Sequence, residues 1–201
     1  MTASISVVVP TLGRPTLEAT LAALATQVKR RDEVIVVADL RGDLAATTRI
    51  FDGYARPGWW LRAVAPNEYG HGYAQREYGA MLATGSHLCF IDDDDVHNEG
   101  ALELMREHAC EVPVIFRMRS RAETLWTDEE LKFGQVGTPM FVVPNLPLKL
   151  GRWEPKENTN GVGGDYVFIR GCVHHQGQPI FRPEVVCDLR PHLNGGSPWP
   201  D

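Results

Sequence analysis

No apolar run in this 201-residue chain approaches the ~18 residues needed to cross a bilayer, so the sequence offers no helical membrane span. Its first ten residues lack the basic start of a secretory signal, and a cytoplasmic location is the expectation. The four cysteines, Cys89, Cys110, Cys172 and Cys187, show no CxxC spacing, and three of them lie in apolar contexts. Buried, reduced thiols follow from this, not a disulfide framework. Basic residues are outnumbered, 20 Lys and Arg against 26 Asp and Glu. The resulting net charge of −6 argues against a general nucleic-acid binder. An anionic substrate therefore needs a metal or local arginines to overcome that background. Internal repeats and low-complexity blocks are also missing. What remains, 43% apolar and 23% charged, is the composition of a globular domain long enough to bury a substantial core.

The most informative stretch is residues 87–96. A short apolar run reads as a buried strand, and it ends in Asp92, Asp93, Asp94 and Asp95. Ligands of open α/β sheets sit outside the carboxyl ends of the strands. Adjacent carboxylates at ~4 Å repel by about 4 kcal/mol per pair at an effective dielectric near 20. A hard divalent cation bound through oxygens removes that cost. The alternative is a solvated acidic turn that caps the next helix.

The rest of the first half alternates strands and helices. Residues 5–9 form a β-branched strand stopped by Pro10, and residues 10–14 form the loop at its carboxyl end. Pro15 suits a helix start, and Leu17, Leu21, Leu24, Ala25 and Val28 keep one face of that helix apolar. Residues 33–37 are a second buried strand that delivers Asp39. Asp43 caps a helix reaching Tyr54, residues 59–65 make a third strand, and residues 73–83 make another helix. After the acidic run comes a helix over 101–109. This alternation predicts an α/β fold with a mostly parallel sheet flanked by helices.

Taken together, the strand 7–9 with Pro10 and Thr11, the strand ending at Asp39, Asn67, Arg76, residues 83–85 and the run 90–95 resemble the GT-A glycosyltransferases, in particular inverting family two. The resemblance implies a Rossmann-like GT-A domain over 1–201. Residues 1–97 would be its nucleotide-sugar half and residues 98–201 its acceptor and catalytic half. It also implies a nucleotide-binding set of Pro10, Thr11, Leu12, Arg14, Asp39, Arg76, Asp92 and Asp93. In the family pattern the first acid of the run lies near the ribose and the third on the metal, which favours Asp92 and Asp94 as ligands. Asp93 and Asp95 form a second pair at the same spacing, so the register stays open. Two departures fall near the nucleotide pocket: Ala38 stands where the family often has the first of two acids, and Gln75-Arg76-Glu77 where it often reads Ala-Arg-Asn. Asp39 could accept from a base N–H, its alternative being a loop or capping acid. Arg76 could approach the base or the pyrophosphate, its alternative being a solvated helix residue.

In the second half, residues 114–118 and 137–144 read as strands, and residues 146–150 as a short helix leading to Gly151-Arg152-Trp153, similar to the family's Gly-x-aromatic. Residues 154–164, rich in Asn and Gly, read as a hinge or acceptor loop. A helix opens at Asp165 and closes at Gly177. By the resemblance, Asp165 is the general base of inverting transfer; by propensity alone it is a helix cap. His192, after a strand over 183–187, corresponds to a late His that relatives often place on the metal or diphosphate, and otherwise is a surface residue.

The expectation is therefore a glycosyltransferase dependent on Mn²⁺ or Mg²⁺ that transfers a sugar from a nucleotide diphosphate sugar, UDP-sugar favoured, to an acceptor hydroxyl with inversion. A nucleotidyltransferase is the first rival; residues 10–14 hold only one Gly and one Arg where it needs a glycine-rich basic phosphate loop. The second rival is a non-catalytic nucleotide-sugar-binding module on the same scaffold, against which the retained acids speak.

Overall fold

The computed structural model describes residues 2–120 and 123–189. β1 (Ile5–Thr11) and β2 (Glu33–Asp39) are buried along their whole length, as strands covered on both faces require. They pair in parallel with each other, and with β3 (Trp59–Val64) and β4 (His87–Phe90), in the order β3-β2-β1-β4. The crossovers are α1 (Leu17–Ala25), α2 (Leu44–Asp52) and α3 (Tyr73–Leu82). From β1 the chain steps outward to β2 and β3, then returns to add β4 on the other side. This reversal leaves a crevice between the carboxyl ends of β1 and β4, the usual ligand position in such sheets.

The second half extends the sheet in mixed directions. It comprises β5 (Val96–His97), α4 (Ala101–His108), β6 (Val114–Ser120), β7 (Glu123–Leu125), β8 (Phe141–Pro144), α5 (Gly164–Gln176) and β9 (Ile180–Leu189). Beyond β4 the order is β8-β6-β9-β5, with β7 on β6. β8 is antiparallel to both β4 and β6, while β9 is parallel to β6. The sheet is thus a parallel block of four strands joined to a mixed block. No helix among the described residues is long and apolar enough to cross a membrane. All four cysteines are free thiols.

Three local expectations shift. β1 continues through Pro10 to Thr11 because its pairing with β4 ends at Val8↔Phe90. Beyond that point β1 has β2 as its ladder partner, so the missing N–H of Pro10 costs no ladder bond on the open side. Residues 137–144 are a strand only from Phe141 onward; Pro139 lies in a single 3₁₀ turn, Thr138–Met140. Pro183 is tolerated within β9 because the β6–β9 register shifts between Ile115 and Arg117.

An aromatic cluster ties the two blocks together. Trp153 stacks on Phe168 (4.6 Å, 15°), and Phe90 meets the edges of both at 4.9 and 5.1 Å. Such pairs add ~0.5–1.5 kcal/mol each beyond burial. Phe90 lies two residues before Asp92, and Phe168 three after Asp165, so one packed cluster fixes both acidic positions. The chain reaches Trp153 through Gly151, where an added Cβ would sit 1.9 Å from the Phe168 carbonyl oxygen. Gly151→Ala must therefore push α5 away from its seat. It is expected to lower stability by about 1–3 kcal/mol or more in urea unfolding, and an unchanged midpoint would remove this close approach from the account.

Candidate functional site

The crevice is a cleft of about 220 Å³ lined from β1 by Pro10, Thr11, Leu12 and Arg14, from the end of β2 by Asp39 and Arg41, and from α3 and its entry by His71, Gly72, Gln75 and Arg76. Asp92, Asp93 and Asp94 close it at the end of β4. Nine residues expected from the sequence to form a site thus face one cavity.

The four acids of the run do different things. Asp93 turns back towards β1: its Oδ2 accepts from the Thr11 hydroxyl (2.6 Å) and the Leu12 N–H (3.3 Å). Arg14 Nη1 lies 3.5 Å from its other oxygen. Burial pushes the Asp93 carboxyl above the ordinary range, against the opposing pull of Thr11 and Arg14. The Thr11 hydroxyl in turn accepts from Gly13 N–H (2.9 Å). Gly13 is in the left-handed region (φ +81°), with room for no Cβ against the Asp43 carbonyl. Asp92 is bound by Arg76 Nη2. Asp94 accepts from Arg14 Nη1 at 3.1 Å, and the Asp95 carbonyl accepts from the Thr20 hydroxyl at 2.7 Å.

Asp92, Asp94 and Asp95 each offer an oxygen within 4.8 Å of the others. Three carboxylates converging this closely fit a hard divalent cation, which prefers oxygen ligands. Asp92 and Asp94 were the ligands expected from the resemblance. Asp95 joins them here, and Asp93, used by β1, does not. His192, the other expected ligand, lies outside the described residues.

α3 reaches three sides of the site. Arg76 is buried, donates to the His71 carbonyl (2.7 Å) and lies 4.9 Å over the Trp153 ring. Three residues earlier, the Tyr73 hydroxyl donates to the Gly161 carbonyl (2.9 Å) and accepts from Gly164 N–H (3.1 Å). This pins the glycine-rich loop where it enters α5. Asp165 is in the first turn of that helix, but the cap position belongs to Gly163. The Asp165 carboxylate accepts from Tyr166 N–H (2.7 Å), a free N–H of the first turn, so it serves the helix start from inside the helix and not from the cap position. Burial pushes its carboxyl up to about 6; the Tyr166 N–H and the Arg76 charge pull it down, and Asp92 adds to the rise. It stands close enough to Arg76 and Asp92 to feel both charges.

Asp39 is buried and wrapped by one neighbour. Arg41 donates its backbone N–H (2.9 Å) and Nε (3.1 Å) to Oδ1, and Nη2 (2.8 Å) to Oδ2. These bonds hold the Asp39 carboxyl below its usual range despite burial. Sequence reading missed Arg41, as well as His71 and Gly72; none stands in a recognisable motif, and their places depend on turns.

A family model described as "Glycosyl transferase family 2" matches residues 6–169. No curated protein matches the chain in sequence. Among solved structures, TarS 1–349 of S. aureus aligns at a TM-score of 0.69 and 18% identity, covering 92% of this chain and 60% of that one. The same TarS fragment in complex with UDP-GlcNAc gives 0.69 at 17% identity, over 92% of this chain and 58% of that one. The mannosyltransferase PcManGT from Pyrobaculum calidifontis, in complex with GDP-Man and Mn²⁺, gives 0.67 at 18% identity, over 97% and 59%. At these identities the likeness is one of fold, and this chain spans about 60% of the length of those structures.

The raised Asp165 carboxyl has a consequence for stability. Its folded value, about 6, exceeds the 3.8 of a free carboxyl, so ionisation weakens the fold as pH rises from about 4 to 6 and the loss persists above that. Asp165→Asn removes the ionisation. Its melting temperature is expected to exceed wild type at pH 7.5, by the equivalent of about 1–3 kcal/mol, and to match it near pH 4. A difference independent of pH would mean that the carboxyl is not desolvated.

Proposed function

The chain belongs to glycosyl transferase family 2, and from that premise we propose that its cleft binds a nucleoside diphosphate sugar with a divalent cation and transfers the sugar to an acceptor hydroxyl with inversion. The observation that carries this reading is the convergence of Asp92, Asp94 and Asp95 on one edge of the cleft, with Asp165 beside it. The base and ribose would lie along residues 10–14 and Asp39, and Arg76 and Arg14 would face the diphosphate. Mn²⁺ or Mg²⁺ held by the three acids would supply Lewis-acid stabilisation of the departing diphosphate. PcManGT carries GDP-Man and Mn²⁺ and TarS carries UDP-GlcNAc. Both support a nucleotide-sugar donor here; the sequence resemblance favoured uridine.

In the proposed reaction the acceptor oxygen attacks the anomeric carbon opposite the diphosphate. The new C–O bond forms as the bond to the β-phosphate oxygen breaks, and the anomer inverts. The acceptor's proton passes to Asp165. A carboxyl with a value about 6 is ionised at neutral pH and still basic enough to take a proton, the condition a general base needs. Tyr73 holds the helix start that carries it, and Arg76 pairs with Asp92 while its charge also acts on Asp165.

Asp165→Asn keeps the shape and loses the base. Transfer is expected to fall by ~10²–10⁴-fold with nucleotide affinity unchanged. The wild-type kcat/KM is expected to rise with pH through about 6, reflecting the raised carboxyl. A mutant rate within about threefold of wild type would remove Asp165 from the mechanism, and a product of retained configuration would remove the single displacement.

A further inference from the structure

We propose that Gln75 and Arg41, flanking Asp39, select guanine, so that the donor is a guanosine diphosphate sugar. The inference rests on the donor-site reading above and departs from the sequence expectation at the base alone.

Gln75 is 1% exposed, yet it lines the cleft. Its amide nitrogen faces two acceptors: the Val64 carbonyl at 3.5 Å and the Asp39 carboxylate. Turning the amide over would set its oxygen against both, so the orientation is fixed by its neighbours. The amide oxygen is thereby left buried with no hydrogen-bond partner among the described residues. A buried acceptor without a donor is costly; the atom has almost no accessible surface of its own, so a base N–H entering the cleft meets it as the Gln75 side chain shifts towards the base.

Asp39, adjacent, is also an acceptor. Its carboxylate offers about four acceptor positions; Arg41 fills three, and the Gln75 amide nitrogen faces the carboxylate as well. The Arg41 side chain is 59% exposed. It can therefore yield a position to a base N–H while keeping its other donors at hand. The row then reads donor from Arg41, acceptor from Asp39 and acceptor from Gln75.

Base chemistry decides among the nucleotides. Guanine presents O6, N1–H and N2–H₂ in sequence, one acceptor followed by two donors, which complements this row. Uracil and thymine place a single ring N–H between two carbonyls, so an oxygen would face the unpartnered oxygen of Gln75. Cytosine and adenine turn an unprotonated ring nitrogen towards the Asp39 carboxylate. Guanine alone satisfies all three side chains.

The test is calorimetry of GDP, IDP, UDP and CDP with Mn²⁺ on the wild-type chain and on Gln75→Leu. GDP and IDP differ only in the 2-amino group, so their ratio reads Gln75 directly. GDP is expected to bind ~10-fold more tightly than IDP or UDP, the effect of one net hydrogen bond, and Gln75→Leu is expected to bring GDP and IDP together. Equal GDP and IDP affinity in the wild type, or UDP binding as tightly as GDP, overturns the guanine assignment while leaving the donor site standing. Failure of every nucleoside diphosphate to bind overturns the donor site and the assignment with it. If Gln75→Leu does not fold, the wild-type comparison decides alone.

Discussion

Four consecutive carboxylates at the end of a buried strand cannot lie side by side unless each is answered, and the local structure is built from the answers. Asp93 is drawn back to β1 by the Thr11 hydroxyl and the Leu12 N–H. Asp92 is met by Arg76, and Asp94 by Arg14. At ~4 Å each such attraction offsets roughly what one like-charge contact costs. What remains is a convergence of Asp92, Asp94 and Asp95 that two arginines moderate and a divalent cation would complete.

α3 is the element through which these demands meet. Its Tyr73 ties down the loop that leads to Asp165, its Gln75 borders Asp39, and its Arg76 neutralises Asp92. The helix sits against β1 at Gly79, where a Cβ would fall 2.4 Å from Val8 Cγ1, so its backbone approaches the sheet closely. A rigid helix in that position holds Tyr73, Gln75 and Arg76 in one frame, which is how a site keeps its geometry. The aromatic cluster of Phe90, Trp153 and Phe168 does the same from below, joining the acidic strand to α5.

Much of this was legible in the sequence because it rests on patterns with a fixed period or a fixed place. The apolar runs of β1, β2 and β4 announced buried strands, and the acidic run declared itself by following one of them. Asp43 read correctly as a cap, with its carboxylate on Ala46 N–H. Arg41 was not legible because its grip on Asp39 comes from a turn in which the Asp39 side chain binds the backbone two residues on, and nothing in a loop sequence fixes that conformation. Gln75 stood out as a departure from the family pattern, but its unpartnered oxygen depends on Val64 and Asp39, which lie far from it in sequence. The register of the acidic run was undecidable for the same reason: the Thr11 hydroxyl, 82 residues away, claims Asp93.

The central claim is that the three converging acids hold a divalent cation that joins the protein to a nucleoside diphosphate. Calorimetry of GDP and UDP in Mn²⁺ and in EDTA, on the wild-type chain and on Asp94→Ala, tests it most directly. The account predicts strong binding of at least one diphosphate in Mn²⁺, a loss in EDTA, and no such metal dependence in Asp94→Ala. Equal affinity with and without the metal in the wild-type chain would contradict it.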